Sequence, residues 1–243
     1  MGIKRNTNPN EPLFTLYLDD KTRIHIQNGN EKLGQGIHHI SLLPFNDYIR
    51  FKGTNQPLCN IIGTCGKHCT DCKNNCYAAN YIRRRANSCI PAYGENTLLA
   101  REDPNRYFDE IERYLRLNLV PVFRWHIAGE IISVEYLDEM VSLAFDFPET
   151  QFYCYTKAYE LIEARERVTP SNLHFLVSIW HKNYANPLHF PEFIYDDGTE
   201  PELEHLFHCP ATDKNGHETG VTCARCRKCW HVQSGDKIAV YGH

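Results

Sequence analysis

Strand-like and helix-like segments alternate along most of this chain. Apolar or alternating runs predict strands at 37–44, 119–127, 151–157 and 174–180, with shorter candidates at 192–195, 205–209 and 237–241. Helical spacing of apolar residues predicts helices at 77–85, 98–103 and 159–168, one opened by Pro104 and one capped by Ser133. Strand–helix–strand alternation predicts parallel strands joined by right-handed crossovers.

This pattern predicts an α/β fold, an open or partial β/α barrel of about six or seven strands. The chain has no Gly-x-Gly-x-x-Gly turn that would favour a dinucleotide-binding fold. Near the N-terminus, residues 13–18 and 22–27 alternate around a polar turn, which predicts a hairpin. We therefore expect three parts: an N-terminal hairpin extension, a barrel core, and a C-terminal cysteine-rich, cluster-binding segment that closes the barrel. Their predicted ranges are 1–31, 32–195 and 196–243.

Composition points to the cytoplasm. Apolar residues make up 42% of the 243 residues, yet no run approaches the roughly 18 apolar residues of a membrane helix. The polar N-terminus lacks a secretory apolar region, so we expect a cytoplasmic protein without a membrane partner. In that compartment its 11 cysteines are interpreted as ligands rather than disulfides. The net charge of −4 gives no overall basic footprint for nucleic acid, and the one basic run, 82–85, fits a solvated face or an anion contact equally.

The strongest chemical signal is a group of four cysteines in one short segment: Cys65, Cys69, Cys72 and Cys76. The first three have the spacing C-x3-C-x2-C, which suits three thiolates on a four-iron cluster whose remaining iron is open to a ligand. Helical spacing could instead place them on one helix face. Turn-forming residues disfavour a regular helix here: Gly66, Asp71, Asn74 and Asn75. The segment therefore predicts a metal or iron–sulfur site.

A second cysteine set lies near the C-terminus. It consists of a C-x2-C-x2-C triplet and a remote cysteine followed by proline: Cys223, Cys226, Cys229 and Cys209. One triplet plus a distant Cys-Pro is typical of ferredoxin-type cluster binding, whereas structural zinc more often uses two separated pairs. A four-iron cluster is favoured over zinc, and both stay open.

Polar residues follow several predicted strands, at the edge where β/α barrels carry their reactive groups. They lie at 126–130, 156–157, 178–181 and 209–210. Other conspicuous residues are expected to have packing roles. His126 is interpreted as a hydrogen-bonded core histidine, Tyr155 as a core residue, and three cysteines as small buried side chains: Cys59, Cys89 and Cys154.

Taken together, these motifs resemble a known group of proteins. The C-x3-C-x2-C triplet is similar to the cluster motif of radical S-adenosylmethionine enzymes, and Ala128-Gly129-Glu130 looks like their Gly-Gly-Glu segment after the second strand. More narrowly, the chain resembles the phage and bacterial gene product 88 family, a radical-SAM-like group. That resemblance runs from about residue 32 and rests on KLGQGI, CYA, FRWH with Gly129-Glu130, FYCYTK and the closing CxxCxxCW.

The resemblance implies a radical S-adenosylmethionine enzyme with two four-iron clusters, the second an auxiliary cluster or zinc. Reductive cleavage of the cofactor would give a 5′-deoxyadenosyl radical that abstracts hydrogen from a peptide, nucleotide or small-molecule substrate. The electron would come from a reductant such as flavodoxin or ferredoxin. Ala128, Gly129 and Glu130 would grip the methionyl amino group, with Thr156, Lys157 and Ser178 on the carboxylate and ribose.

The resemblance has two departures. Asp71 stands where the superfamily often has an aromatic residue, and Cys76 is an extra thiolate, so Cys65, Cys72 and Cys76 are an alternative ligand triplet. A different class also stays open: a non-catalytic zinc or iron–sulfur module for a protein or nucleic-acid partner.

Overall fold

The computed structural model describes residues 2–69, 72, 76–164, 169–179 and 185–241. These residues form two compact units, each built from several stretches of chain. The first unit comprises the described residues of 1–26, 40–119 and 126–139, and the second those of 27–39, 120–125 and 140–243. Each unit is described by itself below.

An eight-stranded sheet is the largest element of the structure. Its strands are β3 (Ile26–Asn28), β4 (Ile37–Ile40), β5 (Val122–Trp125), β6 (Gln151–Thr156), β7 (Leu173–Ile179), β8 (Glu192–Asp196), β9 (Phe207–His208) and β10 (Lys237–Tyr241). They lie in the order β3-β4-β5-β6-β7-β8-β10-β9, and the pairs from β4 to β9 are parallel. Over the described residues the edge strands β3 and β9 do not pair with each other, so the sheet is open.

The structure confirms the predicted mixed α/β class and its mostly parallel sheet. Its helices are α1 (Tyr77–Arg84), α2 (Ala86–Glu102), α3 (Pro104–Asn118), α4 (Val134–Asp146), α5 (Tyr159–Glu163) and α6 (Cys223–Cys226). Short 3₁₀ helices cover Gly66–His68, Pro201–His205 and Lys228–Trp230. Among the described helices, none is long and apolar enough to cross a membrane.

The predicted N-terminal hairpin is wrong in its pairing. Strand β2 (Phe14–Leu16) pairs antiparallel with β1 (Ile3–Arg5), not with 22–27. The expected turn does form, because Asp19 Oδ1 accepts hydrogen bonds from Lys21 N and Thr22 N, each at 2.8 Å. Beyond it, however, the backbone is held by helix side chains: Ile24 N donates to Glu110 Oε2, and His25 N to Asn96 Oδ1. Residues 26–28 then join the large sheet as β3.

Helix α2 is much longer than the predicted segment 98–103. Pro91 lies inside it, and proline usually signals a helix end because it removes a backbone donor. Burial overrides this local penalty. Helix α2 contributes Cys89, Ile90, Tyr93 and Leu98 to the apolar core of the first unit, and a run of its polar residues is buried as well.

The other helix starts agree with the sequence. Asp103 caps α3, accepting from Arg106 N, and Ser133 Oγ accepts from Tyr136 N at the start of α4. The predicted helix 159–168 is observed as α5 only to Glu163, and 165–168 lie outside the described residues. Residue 180, the predicted end of β7, is also outside them, as are 180–181 of the predicted 178–181 polar group.

Large aromatic side chains fill the core of the second unit. Phe123 and Trp125 of β5 pack edge-to-face with ring centroids 5.0 Å apart, and both pack against Phe152 of β6. On β6, Tyr153 packs against Trp230, which follows the last cysteine, with centroids 5.4 Å apart. This packing fixes the C-terminal cysteine segment to the second unit.

Candidate functional site

In the first unit, Cys65 and Cys69 lie side by side around the 3₁₀ turn Gly66–His68. Their thiols are within hydrogen-bonding range of each other. Cys69 is fully buried, and Cys65 is partly exposed. The pKa of the Cys65 thiol is raised well above its ordinary value by the hydrogen bond that it donates to Cys69, by burial and by the nearby charge of Glu130. A negative charge on this sulfur is therefore costly unless a positive charge is added.

The backbone of Phe45 brackets Cys65. Phe45 N donates to Cys65 Sγ at 3.2 Å, and Phe45 O accepts from Cys65 N at 3.0 Å. Phe45 has φ of +86°, which is strained for a bulky side chain. Strained backbone persists where the surroundings over-determine it, often at functional sites. Here the strain accompanies an N–H group aimed at a candidate ligand sulfur.

Helix α2 positions the segment that leads to Phe45. Asn96 Nδ2 donates to Ser41 O at 2.9 Å, and Leu43 N donates to Thr97 Oγ1 at 2.8 Å. Leu43 O in turn accepts from both Thr64 N and Thr64 Oγ1. The buried polar residues of α2 therefore hold the chain just before the first cysteine.

The Ala128-Gly129-Glu130 segment forms hydrogen bonds with Leu42 and Thr64, next to the residues that α2 positions. Leu42 N donates to Ala128 O at 2.9 Å, and Glu130 N donates to Thr64 Oγ1 at 2.9 Å. Gly129 has φ of +91°, and a Cβ there would lie 2.6 Å from Leu42 Cβ and 2.9 Å from Thr64 Oγ1. Only glycine allows this close approach. Glu130 is 5% exposed, and its Oε1 accepts from Ile131 N, which orients the carboxylate beside Cys65.

Cys76 starts helix α1, as the sequence predicts. Its Sγ accepts from Ala79 N at 3.4 Å, in the position of a helix N-cap. Tyr77, next in the chain, donates from its phenol to Ile127 O at 2.7 Å. Cys72 is partly exposed, and residues 70–71 and 73–75 around it, including Asp71, Asn74 and Asn75, lie outside the described residues. The structure thus joins Cys65 directly to Cys69, and both candidate triplets stay open.

His126 has the predicted core role. It is 3% exposed, and its Nε2 lies 2.9 Å from Tyr136 Oη, which lies 3.0 Å from Tyr107 Oη. Burial lowers the pKa of His126 to about 3, so the imidazole is neutral near pH 7. This chain of hydrogen bonds anchors the residue that precedes 127–130.

In the second unit, the C-terminal triplet docks on the segment Lys32-Leu33-Gly34. Cys223 N donates to Lys32 O at 3.1 Å, and Ala224 N to Leu33 O at 2.8 Å. Gly34 has φ of +80°, and a Cβ there would lie 2.9 Å from Ala224 Cβ. The KLGQG motif is therefore a support for helix α6.

The four C-terminal cysteines are brought together. Cys209 follows β9, and its N–H donates to Ala239 O of β10 at 2.8 Å. Cys209, Cys223 and Cys229 each have a raised pKa, first because of burial and then because of neighbouring cysteines of the same set. For Cys229 the value is about 12. Two cations act in the opposite direction: Arg124 lowers the pKa of all three thiols, and Lys32 that of the first two.

Tyr155 belongs to this second cysteine site, although the sequence favoured a core role. Its phenol donates to Cys229 Sγ at 2.8 Å. The Arg124 guanidinium lies over the Tyr155 ring, 4.7 Å from its centroid, and over Tyr153 at 5.8 Å. A useful signal was present in the sequence, since a tyrosine on a buried strand needs a partner for its hydroxyl.

The predicted cofactor residues Thr156, Lys157 and Ser178 also lie in the second unit, at the ends of β6 and β7. Thr156 is buried, and its Oγ1 accepts from Ala158 N at 2.9 Å at the start of α5. Ser178 is buried, and its carbonyl accepts a hydrogen bond from the Tyr159 phenol. Their assignment to a cofactor stays a prediction.

The three remaining cysteines are buried, as predicted: Cys59, Cys89 and Cys154. The thiols of Cys59 and Cys154 each lie 3.6 Å from a backbone carbonyl oxygen, to which a neutral thiol donates. Burial raises the pKa of Cys59 to about 11. These thiols have the surroundings of small core side chains.

The donor sets of the two sites have the chemistry of thiolate ligands. Several candidate sulfurs accept hydrogen bonds, from Phe45 N, Ala79 N, the Tyr155 phenol and, at Cys209, Ala211 N. Within the ranges described above, however, no group of three or more His, Cys, Asp or Glu side chains is arranged so that it could hold a metal ion. The residue types fit an iron–sulfur cluster or zinc, while the side chains do not form a ligand shell.

Fold and sites together define an α/β protein with an open, mostly parallel sheet and two cysteine sites. The chain belongs to the gene product 88 family, because the family model described as Gene product 88 matches residues 25–232. This match confirms the narrower resemblance in the sequence. No curated protein matches the chain, and no solved structure matches it.

Proposed function

We propose that the protein is a radical S-adenosylmethionine enzyme whose cofactor site is the first cysteine site. The observation that carries the proposal is the meeting of two distant segments in the first unit. Thr64, next to Cys65, accepts a hydrogen bond from Glu130 N, and the Glu130 carboxylate acts electrostatically on the Cys65 thiol. The resemblance to radical S-adenosylmethionine enzymes implies that the cysteine triplet and the Gly-Glu segment lie close together.

The charge of the first site supports a cationic occupant. Glu130, Cys65 and Cys69 are buried or partly buried, and the charge of Glu130 adds to the hydrogen bond to Cys69 and to burial in raising the pKa of Cys65. A buried anionic group is stable when a metal ion or another cation is paired with it. A four-iron cluster and the ammonium group of S-adenosylmethionine would both meet this requirement.

The chain's own residues have distinct roles in this proposal. Cys65 and Cys72, with Cys69 or Cys76, would hold the cluster, and Phe45 N would donate to the Cys65 sulfur. Glu130, oriented by Ile131 N, would accept from the methionyl amino group. A cluster bound here would supply the electron that cleaves the cofactor to a 5′-deoxyadenosyl radical, which abstracts substrate hydrogen. The electron would come from a flavodoxin- or ferredoxin-like reductant.

The proposal also includes a finer architecture, a partial β/α barrel closed by the cysteine-rich segment. The sequential parallel order β4-β5-β6-β7-β8 supports it, since barrels of this class add strands in chain order. The second cysteine site would hold an auxiliary four-iron cluster, or zinc in its place. A peptide, a nucleotide and a small metabolite are the substrate classes considered.

Anaerobic reconstitution with iron and sulfide tests the proposal. We expect brown protein that, with dithionite and S-adenosylmethionine, releases methionine and 5′-deoxyadenosine. Iron-loaded protein that leaves the cofactor intact would contradict the enzyme proposal. Zinc at both cysteine sites, without visible absorbance, would favour the non-catalytic module instead.

A further inference from the structure

The charge of this chain is unevenly distributed. Residues 48–94 contain seven lysines or arginines and one aspartate, although the whole chain has a net charge of −4. The same range contains four tyrosines and one phenylalanine, and its described residues all belong to the first unit. Basic residues interleaved with aromatic residues are typical of proteins that bind single-stranded nucleic acid.

Helix α1 presents two of these tyrosines on its exposed side. Its buried residues are Ala78, Ala79 and Ile82, whereas Tyr77 is 59% exposed and Tyr81 is 38% exposed. Residues four apart lie on the same side of a helix, about 6 Å from each other along its axis. The two aromatic side chains are therefore neighbours on one surface.

Arginines surround the second of these tyrosines. The Arg85 guanidinium lies over the Tyr81 ring, 5.0 Å from its centroid, and Arg84 beside it is exposed. Arg83 has a structural role, since its Nε donates to Arg50 O at 2.9 Å. In the part of the chain that the structure describes, no carboxylate forms an ion pair with Arg84 or Arg85. Their positive charges are therefore available to an anionic partner.

The surface beside the two arginines is concave. A shallow, open depression of about 440 Å³ is lined by Arg84, Arg85, Ala86, Asn87 and Ser88. Asn87 and Ser88 are exposed there, so uncharged hydrogen-bonding groups lie beside the guanidinium groups. A guanidinium can donate two parallel hydrogen bonds to one phosphate group. The arginine end of this surface therefore suits phosphate groups, and the tyrosine end suits bases.

A purely local explanation accounts for only part of this pattern. Cations in the last turn of a helix are favoured by the helix dipole, and Arg83 and Arg84 occupy that turn of α1. The dipole does not explain the exposed tyrosines, nor the further cations of the same range: Arg50, Lys52 and Lys67. The combination of rings and unpaired charge indicates a binding surface.

We propose that the α1 surface, formed by Tyr77, Tyr81, Arg84 and Arg85, binds single-stranded nucleic acid. The arginines contact phosphate groups, and bases stack on the tyrosine rings. Single-stranded bases can be splayed out onto aromatic side chains, whereas paired bases are held in the duplex. The inference does not rest on the proposed function, because it requires neither a cluster nor S-adenosylmethionine. Helix α1 begins at Cys76, so the bound strand lies beside the first cysteine site.

Fluorescence anisotropy with labelled oligo(dT) and oligo(U) of about 16 nucleotides tests the inference on the full chain. We expect single strands to bind more tightly than a duplex of the same length. The oligo(dT) and oligo(U) arms distinguish DNA from RNA as the preferred partner.

Removing the two charges tests the phosphate contacts. In Arg84→Gln with Arg85→Gln, binding at about 50 mM salt should weaken about tenfold. The slope of log Kd against log salt concentration should fall by about 1.4, because each phosphate contact of a single strand contributes about 0.7. Arg113→Gln with Arg116→Gln removes two exposed arginines from α3 and is the matched control, with an unchanged slope.

Removing a ring tests the stacking. Tyr81→Ala should weaken binding about tenfold with an unchanged salt slope, because stacking on a base releases no counterions. Tyr17→Ala, which removes a tyrosine that is 52% exposed, is the matched control and should bind like the wild type.

Several outcomes would overturn the inference. They are the absence of oligonucleotide binding by the wild type at low salt, a duplex bound as tightly as a single strand, and equal losses in the α1 and α3 arginine variants. Tighter binding of labelled polyglutamate than of either oligonucleotide would assign the surface to an acidic protein partner instead. Unchanged affinity in both α1 variants would also overturn it. Circular dichroism establishes that each variant is folded, and if one α1 variant is not, the other decides.

Discussion

The two cysteine sites use the same ligand type in opposite electrostatic surroundings. At the first site, a hydrogen bond to Cys69, burial and the charge of a buried carboxylate, Glu130, raise the pKa of Cys65. At the second, Arg124 and Lys32 oppose the effect of burial on the cysteine thiols. The first site therefore has an anionic neighbour, whereas the second has cationic neighbours. Cysteine spacing alone does not reveal this difference in electrostatic surroundings.

The two sites also differ in how they are built. The first is mainly a backbone assembly, in which N–H groups of 42–45, 64–65 and 128–130 donate to carbonyl groups of these segments or to the side chains of Thr64 and Cys65. The second depends on side chains from strands, above all the phenol of Tyr155. Substitutions that enlarge a side chain should destabilise the first site most, whereas substitutions that remove a charge should have their largest effect at the second site.

The largest expected effect separates the two sites by their ligands. Cys65→Ala with Cys69→Ala should remove about half of the iron bound per chain and all release of 5′-deoxyadenosine, because three thiolates are needed to hold the cofactor-binding cluster. Cys223→Ala with Cys226→Ala should remove a similar share of iron. Cys154→Ala, a buried thiol outside both sites, is the control for iron content. Equal iron in all three proteins would contradict the assignment of both sites.

Gly129→Ala should destabilise the first unit strongly. The new Cβ meets Leu42 Cβ at 2.6 Å, and the φ of +91° disfavours any L side chain. Overpacking and backbone strain together suggest a loss of about 3 kcal/mol in the free energy of unfolding, measured by urea titration. Gly198→Ala, with φ of +78° and no atom near its Cβ, shows the backbone cost alone. Equal losses in both variants would show that the close approach at Gly129 has no energetic role.

Thr64→Val should cost about 2 kcal/mol in the free energy of unfolding. Valine keeps the shape but leaves Glu130 N, which is bonded to Thr64 Oγ1, without that acceptor in a buried position. Thr54→Val is the matched control, because Thr54 Oγ1 also accepts from a backbone N–H, that of Gln56 at 3.2 Å, but in an exposed position where water can replace it. A near-zero change in the free energy of unfolding of Thr64→Val would contradict the interpretation that hydrogen bonds to the backbone hold the first site together.

The last effect is small near pH 7 and concerns stability in acid. Burial lowers the pKa of His126 to about 3, and that of His39 to about 4 with a further contribution from Arg124. The unfolded chain takes up these protons near pH 6.5, so between pH 6.5 and the folded values it binds more protons than the native state. Stability therefore falls as pH falls through this window, by up to about 1.4 kcal/mol per pH unit for each histidine.

His126→Asn tests this at the first unit, since asparagine tolerates the positive φ of that position. Its free energy of unfolding should fall less steeply between pH 6.5 and 5 than that of the wild type. The exposed His205→Asn should follow the wild-type slope. Parallel slopes for all three proteins would mean that His126 takes up no extra proton on unfolding.

Local signals predicted the fold where they were unambiguous. Pro104 and Ser133 mark helix starts that the structure contains, and the alternation of strands and helices predicted the parallel sheet. The errors came from longer-range effects. Strand β1 is short and partly polar, so nothing local indicated that it, and not 22–27, pairs with β2. Helix α2 continues through Pro91 because its residues are buried in the core.

Of the candidate sites, the sequence predicted the residues but not the surroundings. Cysteine spacing and Gly129-Glu130 could be found because each is a short local pattern. The cysteine partner of the Tyr155 phenol, the strained peptide of Phe45 and the cations at the second site could not, because each acts on a cysteine far away in the chain. The electrostatic surroundings of each cysteine depend on which residues the fold places near it.

The sulfur of Cys76 has two roles: it is a candidate ligand, and it accepts the hydrogen bond that caps the start of helix α1. Cys76→Ser would keep a side-chain acceptor at the start of the helix but remove the thiolate ligand. Cys76→Ala would remove both the acceptor and the ligand. Comparing the helicity of these two proteins would therefore distinguish fraying of α1 from loss of an inorganic ligand. A change in the state of the Cys76 sulfur therefore also affects the stability of the eight-residue helix that follows it.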